Sequence, residues 1–335
     1  MIIDLPDTTT AAVNRKLVDL RERGGAIALG RVMTLVVLTE EGQVEGAIDA
    51  ANDASREHPC RVITVGLSHR RGTPRLDAQV RVGGDAGASE VLVLRLFGPL
   101  IDHGDSVVVP LLLPDAPIVV WWPGTAPAVP AEHPIGCMAQ RRITDAAAAH
   151  NPLRALQQRA AGYHAGDTDL AWSRVTLWRA LLAAALDQPP YDSVTSATVT
   201  GSADSPSTDL LAAWLGVTLR CPVQRARTRL RQGLVSVVLE RASGPITLQR
   251  PDGVMAHLTQ PGQPPRKISM PPRPDRDCLA EELRRLDPDE VFGEVVTKGV
   301  PLLFDGSARR AKPAAGKPKR APAKPAATPD QPAPA

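Results

Sequence analysis

The sequence predicts an α/β (α+β) fold of two mixed-sheet layers with packed helices, closed by a disordered basic C-terminal tail. Three observations carry the expectation. Between residues 32 and 67 a β-branched run, an amphipathic segment and a second β-branched run follow in order, the pattern of a strand–helix–strand layer. After residue 169 a long apolar helix is followed by several short β-rich runs parted by turn residues, which reads as a second layer. From Gly306 onward the chain is Ala, Pro and Lys and cannot bury enough apolar surface to offset its ordering entropy.

The elements follow in order. Thr8-Thr9-Thr10 can cap a helix through residue 23, stopped by Gly24-Gly25. Residues 32–39 are a buried strand, 44–57 a helix ended by His58-Pro59, and 61–67 a second strand. Residues 76–82 alternate apolar and polar as a half-exposed strand does, and 91–97 are their partner across a turn at Gly83-Gly84-Asp85-Ala86-Gly87. Residues 118–122 form a short strand, and the proline-rich stretch 123–134 marks a boundary. A helix is expected over 169–186 and a strand over 194–199. Ser205-Pro206 then starts a helix to residue 215, because proline fits the first helical position. Four β-like runs (217–223, 235–241, 246–249, 254–259), a proline-rich linker over 261–274 and helices over 277–286 and 289–298 complete the reading. The domains are therefore an N-terminal α/β domain, 1–135, a C-terminal α+β domain, 136–304, and a tail, 305–335.

Charge narrows the function classes. The tail carries seven basic residues against one acid, +6 beside a whole-chain net of +3, so residues 1–305 carry −3. A general nucleic-acid binder places its excess basic charge on the folded body, so nucleic acid is an improbable partner. The start Met1-Ile2-Ile3-Asp4 lacks a signal-peptide pattern. The most apolar run, 107–122, is broken by Pro110, Pro114, Asp115 and Pro117, short of the roughly 20 apolar residues a membrane span needs. A cytoplasmic protein without a membrane partner is expected. Cys60, Cys137, Cys221 and Cys278 show no metal-ligand spacing and read either as reduced thiols or, since sequence does not give their separation in space, as partners in a regulatory disulfide.

Catalytic fingerprints are absent. Gly66-Leu67-Ser68-His69-Arg70 lacks the last glycine of a nucleophile elbow, and Gly83, Gly84 and Gly87 match no phosphate-binding loop. Asp167-Thr168-Asp169 has the form of a metal-binding pair but sits where a helix begins, and a cap is the simpler reading. Neither metal nor cofactor is expected.

Other residues invite recognition chemistry. On a wheel of the helix over 169–186, Arg174 falls inside the apolar arc shared by Leu170, Val175, Trp178 and Leu182, with Arg179 at its edge beside Trp172. A buried guanidinium needs a carboxylate, carbonyls or an anionic ligand, so Arg174 makes either an internal ion pair between domains or a ligand or partner contact. Trp121 and Trp122 end a strand and point to opposite faces, so one is core and the other needs cover from elsewhere. In a chain with only five tryptophans an interface anchor is a natural role. Arg225, Arg227, Arg229 and Arg231 form a stripe on a strand, either a solvated edge or a docking surface. His69-Arg70-Arg71 with Arg75, and Arg141-Arg142, are equally two-sided.

The segments Pro110-Leu111-Leu112-Leu113-Pro114-Asp115, Trp121-Trp122-Pro123-Gly124 and Arg141-Arg142-Ile143-Thr144-Asp145 resemble the glucose-6-phosphate dehydrogenase assembly protein (OpcA) family. So do Gly166-Asp167-Thr168-Asp169-Leu170-Ala171-Trp172, Trp178-Arg179-Ala180-Leu181-Leu182-Ala183 and Cys278-Leu279-Ala280-Glu281-Glu282-Leu283. The similarity runs from about residue 31 to residue 304 and misses the tail. Leu177 departs from it, since the family is associated with proline before Trp-Arg. The resemblance implies a non-enzymatic assembly factor or allosteric activator of glucose-6-phosphate dehydrogenase, and so a role in NADPH supply through the pentose phosphate pathway. It carries no catalytic residues. Some relatives are tied to redox control, for which Cys278 is the candidate here.

Contact candidates for a partner or ligand are Trp121, Trp122, Arg141, Arg142, Asp167, Asp169 and Trp172, together with Arg174, Trp178 and Arg179, which would organise the junction between domains. The alternative is an enzyme or sensor for a sugar phosphate or nucleotide. Arg174, Arg179 and the stripe from Arg225 to Arg231 would clamp phosphate, and Asp167 or Asp169 would hold a hydroxyl or metal. A third reading makes the basic tail an arm for nucleic acid or an acidic partner.

Overall fold

Both expected layers exist, as separate sheets in a computed structural model that describes residues 1–23, 32–68, 72–82, 90–229 and 233–304. The turn at 83–87, the Gly24-Gly25 stop, His69-Arg70-Arg71, Arg231 and the tail lie outside the described residues.

The first sheet contains β1 (Ile2–Leu5), β2 (Met33–Glu40), β3 (Cys60–Ser68), β4 (Arg75–Arg81), β5 (Glu90–Phe97), β6 (Ile118–Trp122), β7 (Arg141–Thr144) and β8 (Asp167–Asp169). Their order is β1-β4-β5-β3-β2-β6-β7-β8. From β5 to β8 all neighbours are parallel, whereas β4 and β1 add antiparallel strands at one edge. A parallel sheet is covered on both faces, which is why β2 reads as a near-continuous apolar run. Alternation along each strand splits the core in two. Leu35, Val37, Val62, Val119 and Trp121 face α2 (Val44–Ser55), while Val36, Ile63, Val65, Val120 and Trp122 face α1 (Thr10–Arg23) and α3 (Gly104–Val108).

Helix α4 (Pro152–Ala161) connects β7 to β8, and β8 leads into α5 (Leu170–Ser173) and α6 (Thr176–Leu186). The second sheet has the order β10-β9-β11-β12-β13-β14. It is built from β9 (Ser196–Ser202), β10 (Val223–Thr228), β11 (Leu234–Glu240), β12 (Ile246–Gln249), β13 (Met255–Thr259) and β14 (Arg266–Ser269). Helix α7 (Pro206–Leu219) makes the crossover between parallel β9 and β10, and the remaining pairs are antiparallel. Inward residues such as Val199, Val237 and Leu248 share a core with Trp178 and Leu182 of α6 and Leu211 and Leu215 of α7. The chain then returns. Helix α8 (Asp275–Leu283) packs on α2 of the first layer, α9 (Glu290–Glu294) leads into a π-helical turn (Val295–Gly299), and that turn and α10 (Val300–Phe304) pack on α7. Among the described residues no helix is long and apolar enough to cross a membrane.

Four expectations need revision. The helix over 169–186 is two helices, because the chain turns at Arg174 and Val175 between α5 and α6. The β-like run 217–223 is the end of α7, which stops at Arg220 in the left-handed conformation before β10 starts. The proline-rich linker holds an edge strand, β14. The first sheet also continues past residue 135, taking β7 and β8 from the chain beyond the proline-rich stretch.

Candidate functional site

The sequence candidates gather where β7, β8, the α5–α6 turn and α8 meet. Arg141 and Arg142 are adjacent on β7, so their side chains leave on opposite faces, and both are buried. Arg141 donates to Glu282 of α8 and, at 2.8 Å, to the carbonyl of Asp287. Arg142 donates to Asp167 and to the carbonyls of Ala139 (2.8 Å) and Ala165. Gly166 allows this approach: its φ is +94°, and a Cβ there would collide with the Gln140 carbonyl. Neither arginine is available to a partner in this arrangement, because each is enclosed by its own carboxylate.

Arg174 occupies the turn between α5 and α6. It donates to both oxygens of Asp145 (2.8 and 2.7 Å) and to Asp275 of α8 (2.7 Å). Burial acts to lower its pKa, but the two carboxylates outweigh burial and the net shift is upward. Of the two readings of Arg174, the internal ion pair is the one the geometry contains. Beside it, Ser173 Oγ donates to Glu282, Thr176 Oγ1 donates to Glu281 (2.7 Å), and Arg273 pairs with Glu281. One continuous polar lattice therefore fastens α8 to β7 and to the α5–α6 turn.

Asp167 and Asp169 also take structural roles. Asp167 accepts from Arg142 and from the His164 N–H (2.8 Å). Asp169 is the N-cap of α5, accepting from the Ala171 N–H (2.9 Å), Thr144 Oγ1 (2.7 Å) and the Ala146 N–H (2.9 Å). Desolvation, with the Asp145 charge adding to it, raises its pKa to about 6. Among the described residues no group of three or more His, Cys, Asp or Glu side chains could hold a metal ion.

The aromatic candidates are covered from within. Trp121 and Trp122 do point to opposite faces, and both are buried, at 1% and 3% exposure, so the cover needed for the second ring comes from the chain itself and neither ring is open to a partner or ligand. Trp122 meets His133 edge-on, with centroids 5.6 Å apart. Trp172 donates its Nε1–H to Asp289 (2.8 Å) and carries the Arg179 guanidinium 3.6 Å above its ring. Burial lowers the Arg179 pKa, against the pull of Asp289, Glu281 and Glu282. Trp178 lies in the second core, with Arg250 over its ring at 5.3 Å. Cys278 is fully buried and burial pushes its thiol up to about 12, so its surroundings hold it protonated and oppose the redox role. On the stripe, β10 is indeed an edge strand with Arg227 and Arg229 exposed, but Arg225 turns inward to Asp209 of α7 (2.8 Å).

Sequence reading missed the acidic half of the lattice: Asp145, Asp275, Glu281, Glu282 and Asp289. A signal was present, because Asp145 and Glu281-Glu282 lie inside the very motifs that carry the resemblance, and a buried arginine requires such partners.

Two clefts open near this region. One, of about 480 Å³, opens beside the α5–α6 turn and is lined by Arg174, Trp178, Arg250, Arg273 and the start of α7. The other, of about 460 Å³, lies at the carboxyl ends of β2, β3 and β6 and is walled by Trp122 and His133.

Known proteins give two kinds of likeness. No curated protein matches the sequence. In solved structures, a 3-ketoreductase from Actinomadura kijaniata is 10% identical, with a TM-score of 0.44 over 79% of this chain and 94% of that one. An oxidoreductase from Sinorhizobium meliloti is also 10% identical, at a TM-score of 0.45 over 83% and 97%. Neither likeness bears on function. Family profiles do: residues 51–161 match the glucose-6-phosphate dehydrogenase subunit N-terminal domain and residues 165–296 match its C-terminal domain. The two matches meet within the polar lattice and together cover most of the chain, so the protein belongs to the glucose-6-phosphate dehydrogenase assembly protein (OpcA) family.

Proposed function

We propose that this protein is a non-enzymatic, cytoplasmic helper that binds glucose-6-phosphate dehydrogenase and stabilises its active assembly or conformation, and so supports NADPH formation in the oxidative pentose phosphate pathway. The observation that carries the reading is the family match over both domains. The geometry is consistent with it. The charged candidates at the lattice are engaged in internal ion pairs and caps, which makes them architecture and leaves them unsuited to proton transfer on a substrate.

A helper of this kind shifts its partner only by the difference in its affinity for the partner's two states. Titrating the purified protein into the dehydrogenase should therefore raise NADPH formation or shift the oligomer distribution on size exclusion. No change in either at saturation overturns the proposal.

The second reading, a sugar-phosphate or nucleotide sensor, draws on the cleft lined by Arg174, Arg250 and Arg273. It ranks lower because Arg174 and Arg273 already face carboxylates, Arg250 donates to the carbonyls of Met270 and Leu234, and Arg179 is stacked on Trp172. A rise in melting temperature with a hexose phosphate, without the dehydrogenase, would put it first.

A further inference from the structure

An antiparallel sheet ordinarily turns apolar residues toward its core and polar ones toward water. In the second sheet Val199, Val237 and Leu248 point at α6 and α7. By register, Thr198, Thr200, Ser236, Val238 and Thr247 stand side by side on the other face. All five are half-exposed, and the helices that share the sheet's core lie on the opposite side.

This face is unusual in its charge. Among its strand positions the charged residues are Glu240, at the end of β11, and Lys267, on edge strand β14, with His257 the remaining titratable group. The arginines of β10 stand on the α7 side, as the Arg225 bond to Asp209 shows. The middle of the face presents hydroxyls and β-branched methyls instead. A surface that stays in water carries both signs of charge throughout, whereas depletion of charge at the centre marks a surface that another one covers.

Its size suffices for such a contact. Six strands about 4.8 Å apart and roughly 18 Å long give a face of about 500 Å². Two such faces together remove about 1,000 Å² from water, the lower limit of a specific interface.

The chemistry suits a second copy of the same face. Threonine and serine hydroxyls both donate and accept, so identical surfaces can satisfy each other. The two charges are opposite in sign and flank the centre. Lys267 is level with Ser236 through His257 and Gln249. It therefore stands three strands across from Glu240, about 14 Å, and four residues along, about 13 Å. A two-fold axis between the sheets, through the midpoint of that line and perpendicular to it, brings each Lys267 over Glu240 of the other copy. Because the two displacements are nearly equal, the axis runs at about 45° to the strands. The strands of the two copies then cross near 90°, the orthogonal mode of sheet packing.

We propose that two copies of this chain associate through this face about a two-fold axis, Lys267 of each pairing with Glu240 of the other. Sedimentation equilibrium of the chain alone should show the mass rise from 35.6 kDa toward twice that value through the micromolar range. This readout needs no dehydrogenase, so its failure and that of the proposed function are distinguishable. Val238→Arg should raise the midpoint concentration about tenfold or more, since each copy would bury an unpaired guanidinium. Glu240→Lys should raise it several-fold by setting lysine against lysine, and Glu240→Lys/Lys267→Glu should restore it. Both residues are exposed, so these changes leave the core untouched. A natural chain that stays monomeric at every concentration overturns the proposal. In that case, loss of dehydrogenase stimulation on Val238→Arg would give the face to that enzyme. A dimer indifferent to Val238→Arg, or a charge exchange that fails to restore it, overturns the proposal as well.

Discussion

Arg141 and Glu282 show what a single buried pair demands. Each is about 95% buried, and the carboxylate also accepts from Ser173 Oγ. Removing one partner strands the other charge in a low-dielectric site, so Glu282→Ala should cost about 3–5 kcal/mol in urea unfolding. Replacing both, as Arg141→Met/Glu282→Met, should recover most of that loss. A double variant as unstable as the single would show that the pair does more than neutralise itself. Asp169 gives a pH signature at the same scale. Its folded pKa of about 6 lies above the ordinary 3.8, so between those values the folded state holds a proton the unfolded state lacks. Its contribution therefore makes stability rise as pH falls from 7 toward 4, and the natural chain should gain on Asp169→Asn over that window. A constant difference between the two melting curves from pH 7 to pH 5 would refute the assignment.

At the scale of elements, caps and joints decide where helices begin and how they meet. Asp289 accepts from the Phe292 N–H (2.9 Å) as the N-cap of α9 and from the Trp172 indole, so one carboxylate starts the C-terminal helix and ties it to α5. Asp289→Ala removes a cap worth about 1 kcal/mol and leaves a buried indole N–H unpaired at about 1–3 kcal/mol, so a loss near 2–4 kcal/mol is expected in chemical denaturation. Asp289→Asn, which keeps an acceptor, should lose about half as much. The elements legible in the sequence were those with a strong local signal. The 118–122 and 246–249 strands fall where β-branched periodicity put them, and Ser205-Pro206 starts α7 as its cap chemistry requires. Those that escaped depend on tertiary partners. The strands β7 and β8 are four and three residues long, rich in Arg, Thr and Asp, and exist because they extend a parallel sheet already in place. The break between α5 and α6 was invisible for a related reason. A helical wheel assumes unbroken geometry, whereas here Arg174 is drawn to Asp145 and Asp275, which lie 29 and 101 residues away along the chain. The candidate residues were thus readable as buried and demanding, but which groups satisfied them was not.

Across the whole molecule, α8 decides whether the two layers behave as one. Its apolar side, with Cys278, Leu279 and Leu283, completes the first layer's core against α2 and β2, while Glu281 and Glu282 reach the α5–α6 turn that opens the second. The first sheet thus receives an essential covering helix from residues that follow the second sheet in the chain. The first layer does not retain its full core without the chain that follows the second sheet, and this argues against two independent melting units despite two family-matched domains. Calorimetry of the full chain should show one transition whose calorimetric and van't Hoff enthalpies agree. Leu279→Ala, buried in the first core, should lower that single transition by the equivalent of about 2–5 kcal/mol without splitting it. Two resolved transitions, with only the one assigned to the first sheet moving on Leu279→Ala, would mean that α8 fastens the layers without coupling them. The coupled outcome bears on the proposed helper role, because a body that resists internal hinge motion would transmit a docking contact at one layer to the other as a rigid displacement.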